Sequence, residues 1–428
     1  MKPRTFAARL THNVPRRGAA AVGLTLLVAG ATMLAPLSFG TGCLTSSINV
    51  VIGAEGGVTG NGEGGPPVTV EGDDPSQNES NKDAITYRDL DSHPGCSTAG
   101  LAARAASGCQ LRPVAAPGVA YEPAQIPGYK CAAKTYPGTD DPNKPIVILV
   151  HGNSDQPTGW ESYPTKSDAP QLAESLSQAG FKVIAADLRY DLVDDPKANL
   201  DTENAALNFD HGWAVPIAQH LFESVMTAYP DRQISIVGFS LGPTIIRDAL
   251  RRLHREKKKP FEHIKDLVLA AGAHHGVSSY RKLCGNPDKP TNPTMRGKVA
   301  CELGDLTAYK PTKFLTALNG PDGAFETPCL DGDIAFGQKG VCGGHKVRYT
   351  TVVMADNDDG TLADEFVSQT SSALKGASNL TVPVGSNDAT GYFCGQTAGQ
   401  PTGLLKNHYG AVRSAPGLKI IVDTLSAP

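Results

Sequence analysis

Apolar runs of strand length alternate with amphipathic stretches of helix length from about residue 145 to the end of the chain. Several runs predict buried strands: residues 145–150, 181–187, 233–239, 267–272, 346–355 and 378–384. Other stretches predict helices: residues 168–179, 204–229, 241–254 and 417–425. In the longest of these, Trp213, Ile217, Leu221 and Val225 recur on one stripe, as in an amphipathic helix. Strands that alternate with helices in this way indicate a fold of the α/β class.

The first 43 residues have the pattern of an export signal. Basic residues precede an apolar stretch, residues 19–37, and small residues follow it. Cys43 ends a Phe-Gly-Thr-Gly-Cys stretch that is similar to a bacterial lipobox, so one expectation is membrane attachment through a lipidated Cys43. A twin-arginine signal at Arg16-Arg17 and a transmembrane anchor are the alternatives that stay open. We expect an exported protein, secreted or lipid-anchored at the bacterial cell surface.

Composition divides the rest of the chain. Residues 44–92 hold many Gly, Pro, Asp, Glu, Ser and Asn and few apolar residues, which predicts a disordered linker. Residues 93–428 are predicted to form one folded domain, interrupted by an insertion at residues 277–345 that breaks the alternation of strands and helices. The formal net charge of -4 gives no reason to expect a nucleic-acid partner.

Cysteine usage fits an oxidising compartment. Nine cysteines are present, and an even number remains once Cys43 is set aside. Within the insertion we expect the local pairs Cys284–Cys301 and Cys329–Cys342, which would make it a disulfide-stapled cap. The other four are then expected to pair among themselves: Cys96, Cys109, Cys131 and Cys394.

The most informative motif is Gly238-Phe-Ser240-Leu-Gly242, directly after the apolar run that ends at Phe239. A Gly-x-Ser-x-Gly sequence between a strand and a helix is typical of a nucleophile elbow, a sharp turn that presents a serine hydroxyl. The flanking glycines are needed because a Cβ there would clash as the two arms of the turn pass each other. The motif indicates acyl transfer through a serine ester.

Three stretches resemble bacterial lipases of the α/β-hydrolase fold, especially the class 2 lipases. They are Val150-His-Gly-Asn153, the elbow motif, and a stretch from Asp364-Glu-Phe-Val367 to Gly376-Ala-Ser-Asn379. The resemblance covers the chain from about Pro145 to its end, apart from the insertion. It implies a mostly parallel central sheet flanked by helices. The cysteine-rich segment before the first predicted strand, with Cys96, Cys109 and Cys131, is here called the lead-in. The first stretch and this lead-in also resemble some extracellular polyhydroxyalkanoate depolymerases.

The resemblance also implies roles for individual residues. Ser240 is the expected nucleophile, and His408, expected in a loop past the last strand, is its base. The match after Val367 favours Asp364 as the acid, whereas closeness to the preceding strand favours Asp356 or Asp359, so the choice stays open. The main-chain N–H groups of Leu241 and Asn153 are the expected oxyanion donors.

The remaining polar motifs have structural interpretations beside functional ones. We expect His151 to be a structural hydrogen-bonding residue and His274-His275 to support the wall of the site, with a metal site at this pair as the alternative. The oxygen-rich turn at Asp356–Asp359 is expected to be solvated, with a cation site as its alternative. No cofactor and no metal are expected.

The function predicted from sequence is that of a secreted serine carboxylic ester hydrolase acting on lipids or long-chain esters. One alternative is an extracellular polyester depolymerase, and another is a non-catalytic exported protein on a hydrolase scaffold. The sequence predicts neither the length of the acyl chain nor the oligomeric state.

Overall fold

A seven-stranded sheet forms the centre of the computed structural model. Its strands run across the sheet in the order β1-β3-β2-β4-β5-β6-β7. The edge strand β1 pairs antiparallel with β3, and the other neighbouring pairs are parallel. The strands are β1 (Ala133–Tyr136), β2 (Ile146–Val150), β3 (Lys182–Ala186), β4 (Ile234–Phe239), β5 (Ile264–Ala270), β6 (Arg348–Met354) and β7 (Ser378–Val382).

The structure describes most of the chain from residue 126 onward and scattered residues between Ile85 and Cys96. The described ranges are 126–136, 138–153, 155, 157–161, 171–188, 211–277, 302–304, 312–320, 326–330, 344–384 and 406–428, together with the two-residue strands Gly285–Asn286, Lys289–Pro290, Ile334–Ala335 and Gln338–Lys339. The predicted export signal with Cys43, most of the predicted linker, and the predicted pair Cys284–Cys301 lie outside the described residues.

Helices cover both faces of the sheet. They are α1 (Leu172–Gln178), α2 (His211–Ala228), α3 (Gly242–Arg255), α4 (Lys313–Asn319), α5 (Gln369–Ser372), α6 (Lys406–Arg413) and α7 (Ala415–Ser426). Single 3₁₀ turns occur at Leu90–Ser92, Pro157–Trp160 and Pro260–Glu262. No helix in the described part of the chain is both long and apolar enough to cross a membrane.

Alternate residues of the strands point into two separate hydrophobic cores, one on each face of the sheet. In β2, Ile146 and Ile148 point into the core that α2, α3 and α4 complete, whereas Val147 and Leu149 join the core with α1 and α7. Because both faces are buried, these strands are unbroken apolar runs rather than alternating ones. The bounds of these elements confirm the predicted strands and helices, with shifts at their ends. The predicted apolar stripe on α2, from Trp213 to Val225, is buried.

Several elements were not predicted. β1 lies in the lead-in that sequence reasoning treated as a loop, α4 lies in the insertion, and the short helix α5 lies between β6 and β7. Another is α6: the expectation that His408 lies in a loop is wrong, because it lies in the first turn of a helix. Gly410 lies within this helix. A Cβ at Gly410 would lie 2.7 Å from Met354 Sδ, so glycine lets α6 approach β6 closely.

The segment before β1 is part of the folded domain. Ile85 and Ile126 are buried in the core beside α2 and α3. The Tyr87 hydroxyl hydrogen-bonds to Asp248 on α3, and the guanidinium of Arg252 lies 3.9 Å from the Tyr87 ring centroid. The packed domain thus already includes Ile85, which lies within the range 44–92 predicted as linker.

The described part of the insertion also packs into this core. Phe314, Leu315 and Leu318 of α4 are fully buried against the helices on that face. The hydroxyl of Thr312 caps α4 by accepting the Leu315 N–H at 3.1 Å. Cys329 is disulfide-bonded. This part of the insertion is therefore core, and the predicted cap over the site remains a prediction for the rest.

Cys96 and Cys131 form a disulfide. This agrees with the expectation that Cys96, Cys109, Cys131 and Cys394 pair among themselves. The bond spans a sequence separation of 35 residues and ties the lead-in to the start of β1. Replacing both cysteines by serine is expected to lower the free energy of unfolding by about 3–4 kcal/mol, because the unfolded chain regains that loop entropy. Urea unfolding of the oxidised proteins measures the difference. A loss below about 1 kcal/mol would contradict a stabilising role for this bond.

Candidate active site

The elbow has the strained geometry that the glycine motif predicts. Ser240 follows β4 directly and has φ of 58°, and its N–H donates to the Ala270 carbonyl at 2.9 Å. A Cβ on Gly238 would lie 2.5 Å from Ile246 Cδ1, and one on Gly242 would collide with the Val150 carbonyl oxygen. The two glycines thus let α3 turn back across β4, and the serine side chain stands at the carboxyl end of the strand.

Ser240, His408 and Asp364 form one continuous line of hydrogen bonds. His408 Nε2 lies 2.8 Å from Ser240 Oγ, and its Nδ1 lies 2.8 Å from Asp364 Oδ2 and 3.0 Å from Oδ1. A carboxylate only accepts, so Nδ1 carries the proton, and the Nε2 lone pair accepts the hydrogen of the serine hydroxyl. Asp364 and His408 are both buried, while Ser240 is half-buried.

The loop after β6 decides which acid reaches His408. Asp356 accepts the Gln369 N–H at 3.3 Å, and Asp359 accepts the N–H and hydroxyl of Thr361 at 2.9 and 2.6 Å. The loop then turns inward, and Asp364 is buried with its Oδ1 accepting two main-chain N–H groups, from Phe366 and Val367. The structure therefore brings Asp364 to His408, whereas Asp356 and Asp359 accept hydrogen bonds from other residues of the loop and of α5.

The stretch that carried the family resemblance folds as a tight turn before β7. The Asn379 side chain accepts the Leu374 N–H at 2.9 Å and donates to the carbonyls of Leu374 and Ala377. Gly376 has φ of 98°, a conformation that favours glycine. The residues that match the family pattern thus form a hydrogen-bonded turn, which fixes the chain between Asp364 and β7.

The expected oxyanion donors lie beside the nucleophile. A Cβ on Gly152 would lie 2.7 Å from Ser240 Cβ, so the main chain that leads to Asn153 passes directly over the serine. Leu241 is the N-cap of α3, at the end where main-chain N–H groups lack a helical acceptor and the helix dipole is positive. Within the described residues, neither the Leu241 nor the Asn153 N–H has a protein acceptor.

The turn after Asn153 is held from α6. The Tyr409 hydroxyl donates to Asp155 at 3.4 Å, and the Arg413 guanidinium donates to the Gly159 carbonyl. Tyr409 directly follows His408, so α6 positions both the expected base and the turn that follows the expected oxyanion donor Asn153.

The other histidines have structural contacts. His151 is buried, with Nε2 accepting the Leu188 N–H at 3.0 Å, which agrees with its predicted role. His274 is buried beside Arg247; burial and that cation hold its pKa well below the ordinary value, so its ring is neutral at pH 7. His275 Nε2 lies 2.9 Å from a Glu326 carboxylate oxygen. Within the described part of the chain, no group of three or more His, Cys, Asp or Glu is placed to hold a metal ion.

Sequence reasoning missed the buried polar contacts that pin α3. Arg247 donates to the Asn319 side chain at 2.8 Å and to the Leu318 and Glu326 carbonyls at 2.9 and 3.2 Å. Burial lowers the pKa of Arg247 to about 10, so it stays charged at neutral pH. The only signal in the sequence is a charged residue on the apolar side of a predicted helix.

A second buried set links α2 to the start of α3. His211 Nδ1 contacts the Glu302 carboxylate, and its Nε2 lies 2.8 Å from the Thr244 hydroxyl. Thr244 in turn donates to the Leu241 carbonyl at 2.9 Å. Glu302 belongs to the insertion, so the insertion reaches the first turn of the elbow helix.

The positions of these groups decide the fold. A mostly parallel sheet has helices on both faces, a strained Gly-x-Ser-x-Gly turn follows β4, the acid follows β6, and the histidine follows β7. The chain has the α/β-hydrolase fold. No protein-family model matches the sequence, and no curated protein matches it.

Solved structures similar to this chain at low identity include two lipases and the protein Est1E. Lipase BlEst2 of Bacillus licheniformis in its mature form is 13% identical, with a TM-score of 0.39 over 69% of this chain and 98% of that one. Lipase B of Aspergillus fumigatus is 18% identical, with a TM-score of 0.40 over 75% of this chain and 62% of that one. Est1E of Butyrivibrio proteoclasticus, solved with ferulic acid, is 14% identical, with a TM-score of 0.35 over 70% and 95%.

Proposed function

We propose that this protein is a serine hydrolase of carboxylic esters, with Ser240 as nucleophile, His408 as base and Asp364 as the acid that orients it. The observation that carries the proposal is the continuous hydrogen-bonded line from Ser240 Oγ through His408 to Asp364. A serine hydroxyl is a poor nucleophile on its own, and a base within hydrogen-bond reach activates it.

In the first half-reaction, Ser240 Oγ attacks the carbonyl carbon of the ester while His408 Nε2 takes the hydroxyl proton. The carbonyl oxygen becomes an oxyanion and accepts hydrogen bonds from the N–H groups of Leu241 and Asn153. The tetrahedral intermediate then collapses: the bond to the alcohol oxygen breaks, and His408 gives its proton to the leaving alcohol. An acyl ester of Ser240 remains.

In the second half-reaction, a water molecule attacks the acyl carbon and His408 Nε2 accepts its proton. The second oxyanion collapses, the bond to Ser240 Oγ breaks, and the proton returns to that oxygen as the carboxylic acid leaves. Asp364 stabilises the imidazolium in both halves without taking the proton.

Aromatic side chains support this chemistry by fixing the imidazole. The His408 ring lies 4.9 Å from the Phe239 ring and 5.1 Å from the Phe366 ring, measured between centroids. A ring held on two sides keeps Nε2 aimed at Ser240, so little reorganisation is needed when the substrate arrives.

For the substrate we propose esters with an apolar acyl part, lipids first and polyesters second. Leu362 and Val384 are exposed apolar side chains, 44% and 49% accessible, in the chain that follows β6 and β7. Both residues follow strands that run parallel to β4, whose carboxyl end presents Ser240, and an apolar acyl chain or polymer surface that reached them would bury them.

Activity-based labelling and an ester panel test the proposal. A fluorophosphonate is expected to label Ser240, and the purified protein is expected to hydrolyse p-nitrophenyl esters. Rising activity with acyl length supports lipid-like substrates, and release of monomer from a polyester film supports the second class. A folded protein that is neither labelled nor active on any ester would make it a non-catalytic member of this fold.

The proposal includes export. The disulfide Cys96–Cys131 and the disulfide-bonded Cys329 support folding in an oxidising compartment. Mass spectrometry of protein recovered from cells would test cleavage and lipidation before or at Cys43.

A further inference from the structure

The residue after Asp364 makes a second contact with His408. One oxygen of the Glu365 carboxylate accepts the Asn407 N–H at 3.0 Å, and the other accepts the His408 N–H at 2.7 Å. Asn407 and His408 are the second and third residues of α6, where main-chain N–H groups have no acceptor within the helix. A carboxylate at this end also meets the positive pole of the helix.

Three successive residues therefore hold His408 in three different ways. Asp364 binds the ring nitrogen, Glu365 binds the main chain, and Phe366 packs against the ring edge to face at 5.1 Å. Residues 383–405 lie between β7 and α6 in sequence, so these contacts join the start of α6 directly to the loop after β6.

We propose that Glu365 is a positioning residue for the reaction at Ser240, because its carboxylate fixes the main chain of His408 while Asp364 fixes the ring. This inference rests on the proposed ester hydrolysis. Glu365 is half-buried and does not touch Ser240, so it acts only through the placement of His408. Burial raises the pKa of its carboxyl group, and the two donated N–H groups oppose that rise.

The test compares Glu365→Ala and Glu365→Gln with the wild type, using p-nitrophenyl butyrate below the unfolding temperature of each protein. Glu365→Ala is expected to lower kcat by roughly 10²-fold with KM nearly unchanged, since a small displacement of the base costs about that much. Glu365→Gln keeps one acceptor oxygen and is expected to fall between the two. Asp358→Asn is the matched control: it removes a negative charge from an exposed position of the same loop.

Proton NMR gives a second readout that does not need turnover. The low-field Nδ1–H signal of the His408–Asp364 pair is expected to shift or broaden in Glu365→Ala and to stay unchanged in Asp358→Asn. If Glu365→Ala does not fold, Glu365→Gln decides.

Wild-type kcat in a folded Glu365→Ala or Glu365→Gln protein would overturn the positioning role. So would an equal loss in Asp358→Asn, because it would show a general charge effect. If the wild type is inactive and unlabelled, the proposed function fails instead. The NMR comparison then still decides whether Glu365 places His408: an unchanged signal overturns the inference.

Discussion

Replacing Ser240 by alanine is expected to abolish both turnover and fluorophosphonate labelling, with kcat on p-nitrophenyl butyrate falling by about 10⁶-fold. No other group of the described site is placed to accept the acyl chain, since His408 reaches Ser240 through the nitrogen that serves as its base. The residual rate would come from the oxyanion donors and from substrate binding.

Ser378→Ala is the matched control for this substitution. Ser378 is the exposed first residue of β7, so its replacement is expected to leave labelling and kcat unchanged. Labelling that survives in Ser240→Ala at the same peptide, or a kcat above about a hundredth of the wild type, would contradict the assignment of the nucleophile.

Replacing Asp364 by asparagine is expected to lower kcat by about 10⁴-fold while the protein stays folded. An asparagine amide can donate to Nδ1, which drives the ring proton to Nε2. That nitrogen then cannot accept the Ser240 proton, although the heavy atoms keep their places. Steady-state kinetics and the rate of fluorophosphonate labelling both measure the loss, and KM should change little because Asp364 is buried behind the base.

Asp359→Asn is the control on the same loop, since Asp359 is exposed and accepts hydrogen bonds from the N–H and hydroxyl of Thr361. It is expected to retain wild-type kcat. Inactivation by Asp359→Asn or Asp356→Asn, together with an active Asp364→Asn, would show that the loop presents a different acid during catalysis.

The sheet was predictable because its strands are buried on both faces. A continuous apolar run such as residues 145–150 must be buried on both sides, and in an α/β fold the central strands are buried in this way. The elbow was predictable because the close approach of its two arms requires glycine at Gly238 and Gly242. In both cases the physical requirement is local, so it is visible in neighbouring residues.

The missed features depend on contacts between distant parts of the chain. The glycine at Gly410 disfavours a helix, and only its approach to Met354 shows why it stands in one. Arg247 and Glu365 look like ordinary polar residues until their partners, more than forty residues away in sequence, are placed beside them. The packing of Ile85 has the same origin, since one apolar residue in a polar stretch says nothing about what covers it.

Helix α3, which follows the nucleophile, is held from separate directions: Tyr87 binds Asp248, His211 binds Thr244, and Arg247 binds the end of α4. Any substitution that shifts α3 must disturb several of these buried bonds at once. Laboratory evolution toward new acyl groups should therefore find few productive changes on this helix. The exposed residues 358–362 make local hydrogen bonds instead, such as those from Thr361 to Asp359, and libraries directed there should recover altered selectivity with the least loss of folded protein.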